Sequence, residues 1–185
     1  PTRFHVENFP KDAFLVIPEV SSERRPYIPI GYLTPETIGS NLVKIMADAT
    51  PFHFGILSSQ MHMAWMRQVA GRLKSDYRYS TGLVYNNYPW PTTATDAQRT
   101  KVEEAAQAVL DARKQFPAST LADLYDPVSM PPRLAKAHEQ LDRAVDRCYR
   151  KEPFTNDRQR VEYLFALYEQ LTAPLSADKP KKKRH

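Results

Sequence analysis

The sequence predicts an α+β fold, a small sheet with one long helix followed by a C-terminal helical segment. Three observations predict it. Short β-branched and aromatic runs bounded by Pro and polar clusters fill the first half. One segment there has helical periodicity, and three amphipathic stripes fill the second half. In order, Phe14-Leu15-Val16-Ile17 and Tyr27-Ile28-Pro29-Ile30 read as paired strands with a turn at Ser21 to Arg25. Leu42 to Met46 is a third strand, stopped by Asp48-Ala49-Thr50-Pro51, which offers Thr50 as a cap and Pro51 as a first helical residue. Phe54, Leu57, Met61, Trp65 and Val69 then share one face of a helix over 52–69, which makes Met61 and Trp65 core residues, and Gly71 ends it. Residues 77–85 alternate as a strand does, up to the stop at Asn86 to Pro91.

Beyond a boundary at Pro91 to Thr95 the pattern turns helical. Helices are expected over 96–116, 133–150 and 157–171, with apolar stripes led by Val102, Leu141 and Leu164. The expected organisation is therefore 1–92, 93–176 and a disordered basic tail over 177–185. No apolar run approaches the roughly 20 residues of a membrane-spanning helix, so a soluble, cytoplasmic protein without a membrane partner is expected. The first residue, Pro1, suggests a chain cut from something longer. The single Cys148 cannot form an internal disulfide and suits a small core position.

The net charge of +5 does not describe the folded part. Lys179, Lys181, Lys182, Lys183 and Arg184 account for all of it, leaving 21 basic against 21 acidic residues in 1–178. A local cluster is more informative: Arg67, Arg72, Lys74 and Arg78 are opposed nearby only by Asp76. Catalytic signatures are missing by comparison. There is no glycine-rich nucleotide loop, and His5, His53, His62, His138 and His185 lack metal-ligand spacing, so no catalytic, cofactor-binding or metal-binding residue is assigned. Asn87-Tyr88-Pro89-Trp90 differs at one place from the loop with which amino-methyltransferases hold a flipped adenine. Without a glycine-rich cofactor strand before it, it reads as a Pro-terminated strand end with a packed Trp90.

Residues 61–91, from Met61-His62-Met63-Ala64-Trp65 through Tyr77-Arg78-Tyr79-Ser80-Thr81-Gly82 to Pro91, closely resemble the target-recognition region of MmeI-like DNA methyltransferases. Leu124-Tyr125-Asp126-Pro127, Met130-Pro131-Pro132, Ala137-His138, Leu141 to Asp146, and Asp157 to Glu169 resemble the helical C-terminal segment of the same family. The resemblance implies half of a target-recognition domain within a bacterial, nucleoid-associated, single-chain restriction-modification enzyme that methylates adenine at N6. It implies double-stranded DNA and the parent's own methyltransferase domain as partners. S-adenosylmethionine would bind in that missing catalytic domain, and an N-terminal nuclease often accompanies it.

If 72–78 is one strand, Arg72, Lys74, Asp76 and Arg78 point the same way. Lys74 can donate to guanine and Asp76 accept from the cytosine amine, reading one G·C pair between them. The resemblance likewise implies base-reading roles for the positions of Lys74 and Asp76. Arg72 and Arg78 are expected to read guanine or hold phosphate, and Arg67, Ser59 and Lys44 to contact the DNA backbone. The competing expectation is a protein-docking module whose basic stripe is merely solvated.

Overall fold

The computed structural model describes residues 10–177. The expected tail cations Lys179 to Arg184, with His5 and His185, lie outside them. Among the described residues, two small antiparallel sheets and six helices share one apolar core. In the first sheet β1 (Phe14–Pro18) lies between β3 (Gly31–Leu33) and β4 (Val43–Met46). In the second, β6 (Asp76–Arg78) lies between β2 (Val20–Ser21) and β5 (Gly71–Leu73). β1 and β2 are nearly continuous, so one extended segment passes from sheet to sheet at Glu19. Its N–H donates to Leu42 O at 2.8 Å, and its carbonyl accepts from Tyr79 N at 2.7 Å.

The α+β class agrees with the sequence, while several elements differ in detail. Tyr27 to Ile30 is buried irregular chain rather than a strand. Pro26 and Pro29 have no N–H to give a ladder, and β1 pairs with the next three residues instead. The helix expected over 52–69 is two, α1 (Pro51–Leu57) and α2 (Gln60–Val69). Ser59, extended at φ −95° and ψ 163°, breaks it by capping α2 through His62 N. Ala70 ends α2, and Gly71 opens β5 rather than closing the helix. The expected strand 77–85 stops at Arg78, and Thr81–Tyr85 winds into a π-helical turn.

The second half follows its amphipathic pattern closely. It contains α3 (Asp96–Lys114), the unpredicted short α4 (Leu121–Leu124), α5 (Pro132–Tyr149) and α6 (Asp157–Ala177). Thr95 caps α3 with the reciprocal Gln98 bond that makes a capping box. α1 packs on α3 and α3 on α5, while α2 receives α6. Gly55 permits the first of these crossings, because a Cβ there would stand 2.6 Å from Val102 Cγ1. Met61, Trp65 and Cys148 are buried as expected.

Polar bonds inside the core tie the halves together. Asp142 on α5 accepts from the Tyr27 hydroxyl and from Gln60 N at the start of α2, both at 2.7 Å. Arg113 on α3 donates to Ile30 O at 2.7 Å and to the Tyr125 hydroxyl, which meets His138 Nε2 at 2.6 Å. Trp65 Nε1 donates to Val84 O, and Tyr149 donates to the Tyr88 hydroxyl. Each such group is desolvated, so its partner offsets a cost that an orphan would bear in full.

Two outcomes follow from this packing. Gly55→Ala should lower stability by about 1–3 kcal/mol in urea denaturation, since the β-branched Val102 behind it has little room to yield. Burial raises the Asp142 carboxyl to about 6, above its unfolded value near 3.8. The stability this group contributes is therefore complete below pH ~4 and is lost as pH rises through ~6. Urea midpoints between about pH 4 and pH 7 should fall by the equivalent of roughly 2–3 kcal/mol relative to Asp142→Asn. Parallel curves for the two proteins would contradict it.

Candidate functional site

The residues 72–78 make a hairpin, not a single strand. Arg72 pairs with Tyr77 and Leu73 with Asp76, leaving Lys74 and Ser75 as a two-residue turn. Lys74 has φ 56°, a left-handed conformation that costs a residue with a Cβ of order 1 kcal/mol. The shared face expected for four ionic residues is thus corrected. Asp76 and Arg78 lie on one face of β6, Arg72 lies beside Tyr77 on the other, and Lys74 stands at the tip. Lys74 and Asp76 have no ion-pair partner among the described residues.

Arg72 and Arg78 are held by neighbours. The Arg72 guanidinium lies 3.9 Å from the Tyr77 ring centre, donates to Ser75 O at 2.7 Å and pairs with Glu23 at 3.3 Å. It braces the turn. Arg78 reaches Glu19 at 3.1 Å, and Lys44 reaches the other oxygen of the same carboxylate at 3.2 Å. The Lys44 and Arg78 hydrogen bonds hold the half-buried Glu19 carboxyl below its ordinary range. Glu19, Lys44, Arg72, Arg78, Gly82 and Leu83 border one open groove of about 540 Å³.

The groove's far wall is the π-helical turn. Ser80 Oγ accepts from Leu83 N, and the Asn87 amide donates to Gly82 O at 2.8 Å and Leu83 O at 3.2 Å. The Asn87 amide is spent on this turn. Tyr88 is buried and Trp90 packs edge-on against His53, Tyr85 and Tyr88. Leu83, 55% exposed, is presented on a braced loop at the groove's rim.

One expected backbone contact, Ser59, is corrected. Ser59 is fully buried, and its hydroxyl donates to Ile56 O at 2.7 Å, so it faces no ligand. Arg67 pairs with Asp157 at 2.6 Å, in a chain continuing through Arg160 to Asp146, and it joins α2 to α6. His62 is likewise enclosed, bonded to the Tyr79 hydroxyl at 3.1 Å, and burial lowers it to about 3. Lys44 does line the groove. Among the described residues no three His, Cys, Asp or Glu side chains are grouped to hold a metal ion, and no helix is long and apolar enough to cross a membrane.

Sequence reasoning passed over Glu19 and the 80–83 turn. Glu19 had a signal, a lone carboxylate interrupting an apolar extended run just after Pro18. The π-helical turn had none, because its residues have β-forming composition.

Known proteins resemble this chain over most of its length. The model described as MmeI, target recognition domain, matches residues 1–92, and that described as MmeI, C-terminal domain, matches 94–176. The chain is 45% identical over 172 residues to DNA methyltransferase A of Bacillus subtilis (strain 168), covering 93% of this chain and 19% of that protein. The structure of the Type IIL restriction-modification enzyme MmeI in complex with DNA superposes with a TM-score of 0.86 at 46% identity, covering 90% of this chain and 22% of that one. The chain thus spans about a fifth of the length of each relative.

The strained tip makes its own prediction. Lys74→Gly should raise the melting temperature, by the equivalent of about 1 kcal/mol, because glycine adopts positive φ freely. An unchanged or lower melting temperature would show that Lys74 is held there by a stabilising contact.

Proposed function

Since the chain belongs to the MmeI family and carries its target recognition and C-terminal domains, we propose that it reads a short sequence in duplex DNA for a larger adenine-N6 methyltransferase. The observation that carries this reading is the pair Lys74 and Asp76, a cation and an anion at and just after the turn of a braced hairpin beside a charged groove, without an ion-pair partner among the described residues. Intramolecular ion pairs engage both groove arginines, whereas among the described residues nothing pairs with Lys74 or Asp76, which can meet base edges. Lys74 donates to guanine O6 and N7, and Asp76 accepts from the cytosine N4 amine. Arg78 and Glu19, fixed face to face, offer a second donor and acceptor at the groove floor. Arg72 keeps the turn in shape and lends positive potential.

Preorganisation is what the scaffold supplies. The Arg72 brace, the Glu19 bonds and the Asn87 clamp hold the reading atoms without ordering on binding, so less of the interaction energy is lost to entropy. Chemistry belongs elsewhere in the parent protein. Its catalytic domain would bind S-adenosylmethionine and receive the adenine flipped from the duplex, and this chain would set which adenine arrives. Its other partner is that same methyltransferase domain, in a bacterial cytoplasm where the nucleoid supplies the duplex.

A binding selection from randomised duplexes tests this. The wild-type chain should enrich a defined motif, and Lys74→Ala or Asp76→Ala should relax one base-pair position by about 1–3 kcal/mol. The swap Lys74→Asp with Asp76→Lys should invert the preference there and spare the rest of the site. A uniform loss over all sequences would reassign both residues to phosphate. No enriched motif at all would favour the protein-docking function instead.

A further inference from the structure

The helical half carries a second charged surface, remote in sequence from the hairpin. On α5, Arg133, Lys136, Gln140, Arg143 and Arg147 recur at three- and four-residue steps and are all exposed, so they form one stripe, and Lys151 continues it just past the helix end. None of the five cations in this stripe has an ion pair with a described residue. Asp142 and Asp146 of the same helix are buried and engaged in the core, which leaves Glu139 as its exposed acid, at the stripe's edge.

Two shallow grooves between α3 and α5 run beside the stripe, about 350 Å³ and 300 Å³ in volume. Small residues make their floor, Ala108, Ala112 and Ala137 in the first and Ala144 in the second, while Arg133 and Lys136, then Arg147, Lys151 and Lys101 of α3, make their walls. Asp111 also lines the first groove, where Lys114 neutralises it at 2.9 Å.

Solvation alone does not account for this pattern. Like charges four apart, as in Arg143 and Arg147, repel along a helix, whereas a merely solvated face gains from alternation. α6 alternates in this way, with Arg158 bonded to Glu162. α5 also begins badly for its charge. Pro131 gives it no side-chain cap, its first turn has no acid, and Arg133 stands there against the positive end of the helix dipole. α3 and α4 begin with a capping Thr and an acid. A local rule broken without local compensation marks a surface kept for a ligand. With 21 basic and 21 acidic residues over 1–178, the cations are segregated here rather than abundant throughout.

We propose that the α3–α5 face binds the sugar-phosphate backbone of duplex DNA, independently of sequence, as a second contact separate from the recognition groove. The stripe from Arg133 to Arg147 is roughly 21 Å long at 1.5 Å per residue, and duplex DNA presents one charge per ~1.7 Å of axis. Its side chains are long and unpaired and lie over small residues, which suits a polyanion of continuous charge. The proposal rests on the DNA-reading function above, and it fails separately from it.

The test measures binding of the full chain to a mixed-sequence duplex over a KCl series, together with the randomised-duplex selection. Replacing Arg143, Arg147 and Lys151 by Gln should weaken binding at low salt by about tenfold or more and make the log–log salt slope shallower by up to about 0.9 for each phosphate no longer neutralised. The selected motif should stay the same. Arg133→Glu should raise the melting temperature, by relieving the dipole clash, and still weaken DNA binding, a combination that damage to the fold cannot produce. Unchanged salt slopes in both variants would overturn the proposal. So would capture of polyglutamate by wild-type chain, abolished in the triple variant while its DNA binding is intact, which would assign the face to an acidic protein. A wild-type chain with a salt slope that depends on the stripe but no selected motif would sink the recognition reading and leave this one standing.

Discussion

The fold depends on one buried carboxylate. Asp142 leaves α5 to accept a hydroxyl from Tyr27, in the irregular chain between the sheets, and a backbone N–H from Gln60, the first residue of α2. The second bond fixes where α2 starts, at the end where the helix dipole favours an anion. After ten residues in all α2 ends at Val69, and the hairpin begins at Gly71 with Ala70 as the one joint between them. The placement of Lys74 and Asp76 is thus inherited, through a short rigid helix, from a residue of the C-terminal half. Desolvation keeps the Asp142 carboxyl at about 6, which makes the tie costly near neutrality. A carboxylate retained in that position specifies geometry more than it adds stability.

Glu19 plays the corresponding part on the other side of the hairpin. Its backbone joins the two sheets, and its carboxylate gathers one cation from each, Lys44 of β4 and Arg78 of β6. The hairpin is therefore fixed at its root by Asp142 through α2 and along its flank by Glu19. Its tip alone carries unbalanced groups. The Lys74 backbone shows the same ordering of priorities, since a glycine would occupy that φ without strain and would contribute no donor.

The sequence was most legible where periodicity and capping agree. α3, α5 and the start of α6 fall within a few residues of expectation, because each buries one stripe and has a polar or Pro boundary. The first half was harder for physical reasons. Its strands are two to five residues long, too short to establish a period, and Pro26 and Pro29 divert an apolar run from pairing. Ser59 splits a continuous apolar face by a side-chain bond that no periodicity reveals. Lys74, Asp76 and Arg78 were found by charge clustering, although the assumed alternation failed at the turn. Glu19 was missed because its role comes from the meeting of β4 and β6, which are 30 residues apart between Met46 and Asp76.

Charge distribution links recognition to affinity. The hairpin groove is nearly balanced, with Arg72 matched by Glu23 and Arg78 and Lys44 sharing Glu19, so it exerts little long-range pull on a polyanion. As a base reader such a site would discriminate well, since a wrong base leaves a desolvated partner unmatched, but it would start with little attraction. An unbalanced stripe on α5 has the opposite character. As a DNA contact it would attract any duplex alike and supply the sequence-independent part of the binding energy. Under the proposed function, keeping the two on separate elements would let bases be read by one cation and one anion on a braced hairpin while long, exposed cations hold the phosphates. The Asp142 bonds to Gln60 and Tyr27 make that separation useful, because they hold the helical face and the reading hairpin in one fixed relation.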